Sequence, residues 1–394
     1  MPNEFARHWT LDPEVVFLNH GSFGACPRPV LEAQSELRAR MERQPLQFLS
    51  RDLEGLLDEA RGQLAELVGA EADDLAFVPN ATAGVNTVLR SLPFEPGDEL
   101  LTTDHAYNAC KNALKLHEPR GVKAVIAQVP WPIRGPQEVI DAVMAAVTPR
   151  TRLALLDHVT SPTGLVFPVR ELVRLLAERG VDTLVDGAHA PGMLPLDLRD
   201  LGAAYYTGNC HKWLCTPKGS ALLHVRRDKQ AQVRPLDISH GANATRTDRS
   251  RFRLEFDWRG TDDPTPYLTI PAALRFFSGL LPGGFPELME RNHDLAVRGR
   301  RILCEALRID PPAPEEMLGS LASVPLPDAQ TPVKVGRNYW HPLQKAVYEK
   351  HRVEAPVMIF PAPPRQLIRI ACQLYNDESQ VQRLAAALKS ELRQ

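Results

Sequence analysis

The sequence predicts an α/β protein built on a largely parallel β-sheet. Between residues 75 and 225, short apolar runs alternate with segments of helical periodicity, which is typical of a sheet covered by helices on both faces. The chain has 394 residues, more than one compact domain usually holds, so we expect a large domain and a smaller one. Sheets of this kind place ligand chemistry at the carboxyl ends of their strands.

The elements of the large domain follow one another in regular order. Seven strands are predicted, at 75–78, 99–102, 124–129, 153–156, 182–185, 203–207 and 220–225. Amphipathic helices are predicted between several of them, at 82–92, 108–117, 136–147 and 169–179.

The flanking regions differ from this pattern. Residues 30–70 show helical periodicity, and 226–266 is a polar, irregular stretch that we expect to be a long functional loop. After residue 270, two helices precede a final part with short strands near 322–325, 357–360 and 367–372 and a closing helix.

Composition excludes several classes of protein. The 46 basic and 48 acidic residues give a formal charge of −2, and the apolar share is 44%, so neither a disordered acidic chain nor a basic nucleic-acid binder is expected. We find no apolar run long enough to span a membrane and no secretory leader. The six cysteines show no zinc-binding spacing, so we expect no metal, free thiols and a cytoplasmic location.

One candidate anion site lies where the first predicted strand meets a helix. In the sequence NATAGVN, Asn80 can cap the helix, and Thr82 offers a hydroxyl in its first turn. Free N–H groups at a helix N-terminus bind anions, most often phosphate. The alternative is an ordinary N-cap that binds nothing.

A carboxylate ends the predicted strand at 182–185. Asp186 follows this apolar run in the sequence VDGAHA, where it is suited to pair with a protonated aromatic nitrogen. The alternatives are a helix cap or a solvated acid. His189 could hydrogen-bond the same ring, or serve only as a structural residue.

A single lysine follows in the sequence GNCHKW. Small, polar and aromatic residues surround Lys212, so this ammonium is not part of a charged surface. A partly buried lysine has a depressed pKa and can bond a carbonyl carbon, although most lysines are surface charges. An anion site, a strand-end aspartate and a lysine, in this order, predict pyridoxal 5'-phosphate, because each polar end of that cofactor then has a partner.

The chain resembles the class V aminotransferase group of fold-type I pyridoxal-phosphate enzymes, and most closely its isopenicillin N epimerase-like branch. Eight motifs in the right order carry the resemblance: FLNHGSFG (17–24), NATAGVN (80–86), TTDHAYNAC (102–110), HVTSPTG (158–164), VDGAHA (185–190), GNCHKWLCTPKGS (208–220), GTDDPTPYL (260–268) and RIACQLYN (369–376). It implies a fold-type I transferase fold, with an N-terminal segment (1–25) that closes over the site, a large domain (26–268) with a mostly parallel seven-stranded sheet, and a small C-terminal α+β domain (269–394).

The resemblance also implies roles for individual residues. Lys212 would bond the cofactor aldehyde, and Asp186 would keep the pyridine nitrogen protonated. Arg369 would bind the substrate carboxylate, and Asn19 and His20 of the N-terminal segment would close over the site and contact the substrate. The other implied cofactor contacts are Ala81, Thr82, Asn209 and His211 at the phosphate, Thr160, Ser161 and His189 near the phenolic oxygen, Tyr107 or His105 against the ring, and Thr261 at the phosphate of the neighbouring subunit of a homodimer.

Several reactions stay open on the sequence alone. Cysteine desulfurases of this superfamily carry a nucleophilic cysteine before the carboxylate-binding arginine, and residues 305–371 contain none, which argues against that activity. Epimerisation at the α-carbon of an amino acid or aminoacyl side chain is our first expectation. It would use Lys212 on one face and Tyr107 or a histidine on the other. The alternatives are C–S lysis, as in hercynylcysteine sulfoxide lyase relatives, transamination, and a catalytically silent binding protein.

Overall fold

The computed structural model describes residues 3–329 and 340–392, and twelve strands lie in this part of the chain. They are β1 (Val16–Phe17), β2 (Leu75–Val78), β3 (Glu99–Thr103), β4 (Lys123–Ala127), β5 (Thr151–Asp157), β6 (Asp182–Asp186), β7 (Tyr205–Asn209), β8 (Ala221–Val225), β9 (Leu321–Leu326), β10 (Val353–Glu354), β11 (Val357–Ile359) and β12 (Gln366–Ala371).

Strands β2 to β8 form one seven-stranded sheet in the order β2-β8-β7-β6-β5-β3-β4. Strand β8 runs antiparallel to its neighbours β2 and β7, and the other pairs are parallel. The predicted α/β class and all seven predicted strands are therefore confirmed. Their sequences could be found because strands buried on both faces are nearly continuous apolar runs.

Helices cover both faces of this sheet. In β5, Ala154 and Leu156 belong to one apolar cluster, and Leu153 and Leu155 belong to the cluster on the opposite face. The α-helices are α1 (His20–Phe23), α2 (Arg28–Arg43), α3 (Pro45–Gln47), α4 (Leu53–Val68), α5 (Ala81–Ser91), α6 (Asn108–Lys115), α7 (Pro136–Ala145), α8 (Val169–Ala177), α9 (Leu198–Leu201), α10 (Cys210–Trp213), α11 (Arg251–Asp257), α12 (Thr265–Leu268), α13 (Ile270–Leu280), α14 (Gly284–Leu307), α15 (Pro342–His351) and α16 (Glu378–Glu391).

The stretch from 226 to 266 is not the irregular loop that its polarity predicts. It contains two 3₁₀ helices, Arg227–Gln232 and His240–Asn243, before α11 and α12. Polarity misled the prediction because charged side chains of α11 are buried: Arg253 is 5% exposed and bonds Asp73, 2.7 Å away.

A smaller sheet of order β11-β12-β9 is antiparallel throughout. Helix α14 packs against its strands β9 and β12, and α16 packs against α14. The N-terminal strand β1 pairs with β10 of this region, Val16 opposite Val353. The chain then enters the short helix α1, which packs against α10. The first 25 residues thus contact both parts of the molecule.

The described residues also bear on membrane spanning, disulfide bonding and metal binding. No helix among them is both long enough and apolar enough to cross a lipid bilayer. The six cysteines are buried and free. Within 3–329 and 340–392, no three acidic, histidine or cysteine side chains are grouped as a metal ion would require.

Candidate active site

Two aspartates end neighbouring parallel strands at the carboxyl edge of the large sheet. Asp186 ends β6 and lies opposite Asp157, which ends β5. Both side chains are buried, with 3% of their surface exposed. Burial raises the pKa of Asp186, whereas hydrogen bonds from the Cys110 thiol (3.1 Å) and the Ala188 amide (3.0 Å) lower it. Burial and the charge of Asp186 raise the pKa of Asp157 well above its usual range.

Asp157 is a buried carboxylate that the sequence pattern does not single out. The predicted strand stopped at Leu156, one residue short of this carboxylate. The signal was nevertheless present, because LALLD has the same form as the TLVD run that ends in Asp186. Its Oδ2 atom is buried and has no hydrogen-bond partner among the described residues.

Lys212 lies on α10, directly after β7. Its Nζ is 3.1 Å from Nε2 of His189, and the Nδ1 atom of that imidazole accepts a 3.4 Å hydrogen bond from the indole of Trp213. Burial, and then the nearby charge of Arg369, lower the pKa of Lys212 to about 7, although Asp186 opposes this shift. An amine with this pKa is substantially neutral at physiological pH.

The N-terminus of α5 is tied to the segment that carries Lys212. Asn209, the residue before α10, accepts a 2.8 Å hydrogen bond from the backbone amide of Ala81 through its side chain. Asn80 caps the helix as predicted, accepting from the amide of Ala83 at 2.8 Å. Because Asn209 already holds the Ala81 amide, the partly exposed Thr82 is the residue at this helix end best placed for an anion.

The two other predicted phosphate contacts, His211 and Thr261, differ in their surroundings. His211 is partly exposed, and its Nδ1 bonds the Ser220 carbonyl at 2.9 Å. Burial lowers the pKa of His211 to about 4. Thr261 is exposed on the protein surface in the turn before α12.

The two candidates for stacking on a cofactor ring have different surroundings. His105 is fully buried, and its ring nitrogens bond the hydroxyl of Thr163 (2.8 Å) and the carbonyl of Val129 (3.1 Å). Tyr107 is 48% exposed, directly before α6, and it lies near enough to Arg369 to affect that side chain electrostatically. Of the two rings, that of Tyr107 is the one exposed to solvent.

Arg369 of β12 faces the end of the large sheet from the smaller one. Its guanidinium donates to the Ser161 carbonyl and, at 3.3 Å, to the hydroxyl of Ser22 in α1. The side chain is 2% exposed, and its buried Nε has no partner in the described part of the chain. Thr160 is engaged differently, since its hydroxyl accepts from the Leu165 amide at 2.9 Å within the same turn.

Two residues of the N-terminal segment, Asn19 and His20, are hydrogen-bonded to the residues of this site. The side chain of Asn19 accepts a 2.6 Å hydrogen bond from Ser22, which links it to Arg369. His20 is fully buried, with Nδ1 2.8 Å from the Tyr375 hydroxyl and Nε2 2.9 Å from the Lys212 carbonyl. Its imidazole therefore supports the backbone of Lys212.

The chain matches the family model described as aminotransferase class-V over residues 17–384. The chain belongs to the class V aminotransferase family. It is 37% identical to isopenicillin N epimerase from Amycolatopsis lactamdurans over 96% of each protein. It is also 30% identical to a probable chloroplastic L-cysteine desulfhydrase from Arabidopsis thaliana, over 99% of this chain and 85% of the relative.

The solved structures support the same fold. A structure of a C-DES mutant with glycine covalently linked to its PLP cofactor has a TM-score of 0.79 and 22% identity, covering 98% of each chain. The predicted fold-type I architecture is therefore confirmed. As a member of this family, the protein is an enzyme that uses pyridoxal 5'-phosphate.

The residues present fit this cofactor. Asp186 is a buried carboxylate whose charge has no cationic partner within ion-pair distance in the described chain, as a site for a protonated ring nitrogen requires. Lys212 follows the neighbouring strand, with a pKa of about 7 that leaves it free to bond an aldehyde. The α5 N-terminus, joined to it by Asn209, is the natural place for a phosphate.

Proposed function

We propose that this enzyme epimerises the α-carbon of an amino acid or aminoacyl side chain, with Lys212 and Tyr107 handling the proton on opposite faces. The 37% identity to an isopenicillin N epimerase supports this choice of reaction. Inversion requires two groups, one to remove a proton and one to return it from the other side.

The strand order is the observation that carries the proposal. Along the sheet, β7, β6, β5 and β3 are adjacent, and they lead to Lys212, Asp186, Asp157 and Tyr107 respectively. Lys212 and Tyr107 therefore follow strands that lie on opposite sides of the pair that ends in the two carboxylates. Both are also within electrostatic reach of Arg369.

Each residue then has a distinct task. Arg369, with a planar fork of donors, binds the substrate carboxylate and so fixes the α-carbon between Lys212 and Tyr107. Lys212 as a neutral amine accepts the α-proton, and Tyr107 donates one to the other face. Asp186 holds a proton on the ring nitrogen. When bound, pyridoxal phosphate supplies an electron sink that stabilises negative charge at the α-carbon.

The test follows the α-proton in deuterium oxide. The wild-type enzyme, given a panel of amino acids and isopenicillin N, should incorporate deuterium at the α-carbon and invert its configuration. Tyr107→Phe should still exchange the α-proton through Lys212 but should lose inversion. Exchange without inversion in the wild type would refute epimerisation.

A second candidate is C–S lysis of cysteine, favoured by the 30% identity to a probable L-cysteine desulfhydrase. This reaction releases sulfide, pyruvate and ammonia and leaves no inverted amino acid. Sulfide release from L-cysteine with no racemisation of any amino acid in the panel would establish this candidate in place of the first.

We also infer that the enzyme acts as a homodimer in the cytoplasm, with Thr261 completing the site of the neighbouring subunit. The surface position of Thr261 and the six free thiols support this. Mixing Lys212→Ala subunits with Thr261→Ala subunits should form hybrid dimers with one intact site. Activity well above that of either variant alone is expected, and no gain would contradict a shared site.

A further inference from the structure

The hydrogen bonds around His189 define which ring nitrogen carries its proton. Nδ1 receives the indole N–H of Trp213 at 3.4 Å, and Nε2 lies 3.1 Å from Nζ of Lys212. An indole nitrogen can only donate, so Nδ1 must be the unprotonated acceptor. The proton of the neutral imidazole therefore lies on Nε2, which points at Lys212.

The same contact opposes protonation of the ring. An imidazolium has protons on both nitrogens, so its Nδ1–H would meet the indole N–H of Trp213. His189 is 2% exposed and Trp213 is fully buried, so neither ring can turn to water. Burial, together with the charge of Lys212, lowers the pKa of His189 well below its usual range.

We propose that Trp213 is a positioning residue that fixes His189 as a permanent Nε2–H donor. Two consequences follow for the proposed reaction, on whose assignment of Lys212 this inference rests. The Nε2–H of His189 can bond Lys212 only when the amine acts as the acceptor, so this contact favours the neutral form of Lys212. His189 cannot accept a proton from the substrate, which excludes it as the second proton-transfer group and favours Tyr107 for the face opposite Lys212.

The other charged groups do not replace Trp213 in this role. Arg369, His20 and His211 lie near His189 besides Lys212, and a positive charge on any of these groups opposes a positive imidazole. Burial lowers the pKa of His20 to about 3 and that of His211 to about 4, so Lys212 and Arg369 are the cations that act at neutral pH. Around Lys212, Arg369 disfavours the ammonium, whereas the carboxylates of Asp186 and Asp157 and the thiol of Cys110 favour it. In the described part of the chain, only Lys212 and Trp213 hydrogen-bond the imidazole of His189.

The tautomer can be observed directly by nitrogen-15 NMR of the full-length enzyme labelled in histidine, both with cofactor and after its removal. The His189 signals are assigned by their loss in His189→Gln. We expect an unprotonated Nδ1 and a protonated Nε2, unchanged between about pH 6 and 8.5. A protonated Nδ1 in the wild type would overturn the proposal.

Trp213→Phe removes the indole N–H and keeps an aromatic ring. His189 can then place its proton on Nδ1, and Nε2 can accept from a charged Lys212. After cofactor removal, the pH dependence of Lys212 labelling by an amine-reactive reagent should have a midpoint of about 7 in the wild type. In Trp213→Phe, this midpoint should rise by on the order of one pH unit, a tenfold change in the dissociation constant.

The matched control is Trp9→Phe, which removes a buried indole donor that bonds the Ala25 carbonyl at 3.0 Å. It should leave the Lys212 midpoint unchanged. If Trp213→Phe folds poorly, 3-benzothienylalanine at position 213 replaces the N–H with sulfur at nearly the same volume. An unchanged midpoint in a folded variant refutes the role of Trp213. Because the midpoint is measured without cofactor or turnover, it stands apart from whether the enzyme proves to be an epimerase.

Discussion

The molecule has two clusters of charged side chains in largely buried positions, and they are built in opposite ways. In the first, which we term the ion cluster (Asp58, Arg61, Arg253 and Asp257), every charge meets its opposite: Arg61 bonds Asp58 at 2.9 Å and also Asp257. Arg253 joins Asp58 and lies 3.2 Å from Asp257. This cluster connects α4 to α11.

The active site buries charge without pairing it. Lys212, Asp186, Asp157 and Arg369 form no ion pairs with one another in the described chain, and their hydrogen bonds go to neutral groups. The pKa of Lys212 is lowered and that of Asp186 is raised, in both cases first by burial. Buried charge alone therefore does not mark a site, whereas buried charge left unpaired indicates where a ligand supplies the missing partner.

The largest effect expected is the loss of turnover in Lys212→Ala. Without this amine, no residue bonds the cofactor aldehyde or removes the α-proton. We therefore expect the rate of α-proton exchange to drop at least about 1,000-fold. Thermal unfolding should change little, because no ion pair is broken. Lys229→Ala, which removes a lysine paired with Asp182 at the far end of β6, is the control. Retained exchange in Lys212→Ala would end the assignment.

The second test replaces one aspartate in the ion cluster and one in the active site. Asp257→Ala leaves the buried guanidinium of Arg61 underpaired and should cost about 3–5 kcal/mol of unfolding free energy, measured in urea. Activity per folded molecule should persist. Asp186→Asn should do the reverse, with stability nearly unchanged and activity lowered about 100-fold or more. Equal losses of stability in both variants would contradict the comparison.

The third test uses acid. Burial lowers the pKa of His20 to about 3, so this ring is neutral when folded and protonated when unfolded between about pH 3 and 6.5. The stability that it contributes is complete above about pH 6.5 and is lost as the pH falls through this window. The raised pKa values of Asp186 and Asp157 act in the opposite sense.

Replacing His20 isolates its share of this pH dependence. In His20→Gln, the slope of unfolding free energy against pH between about 4 and 6 should decrease by about 1.4 kcal/mol per pH unit, measured by urea titrations. The exposed His240 offers the control His240→Gln, which should leave the slope unchanged. An unaltered slope in His20→Gln would show that this ring is not held neutral.

The smallest effect concerns the thiol beside Asp186. Cys110→Ala removes the 3.1 Å hydrogen bond that lowers the pKa of this carboxyl. A hydrogen bond of net worth about 0.5–1.5 kcal/mol predicts a loss of about 2–10-fold in kcat. Cys304→Ala, at a buried cysteine on α14, should have no such effect. A loss above 100-fold would mean that Cys110 acts chemically.

Much of this architecture could be predicted because it depends on continuous patterns. The seven strands of the large sheet are apolar runs, and Asp186 and Lys212 stand out where such runs end. The α11 region could not be predicted, because its charges are hidden by partners distant in sequence, such as Arg253 with Asp73. Propensity and polarity carry no information about such pairing.

The same limit applies to the roles of aromatic and imidazole residues. His20 and His105 have the residue type that chemistry requires, yet both are held in buried hydrogen bonds that no local pattern reveals. The spacing of GNCHKW indicates Lys212, but not that Trp213 bonds His189, which is 24 residues away. Such contacts form only when segments that are distant in sequence meet in the folded protein.

The pairing of residues 3–20 with residues 353–375 has a consequence for biosynthesis. Asn3 bonds the carbonyl of Leu374, β1 pairs with β10, and His20 contacts Tyr375. A chain on the ribosome lacks these partners until residue 375 has emerged, so the segment that supports Lys212 cannot complete its contacts before that point. We expect cofactor binding to follow the emergence of residue 375, and nascent chains that stall before this residue to be targets for chaperones and proteases.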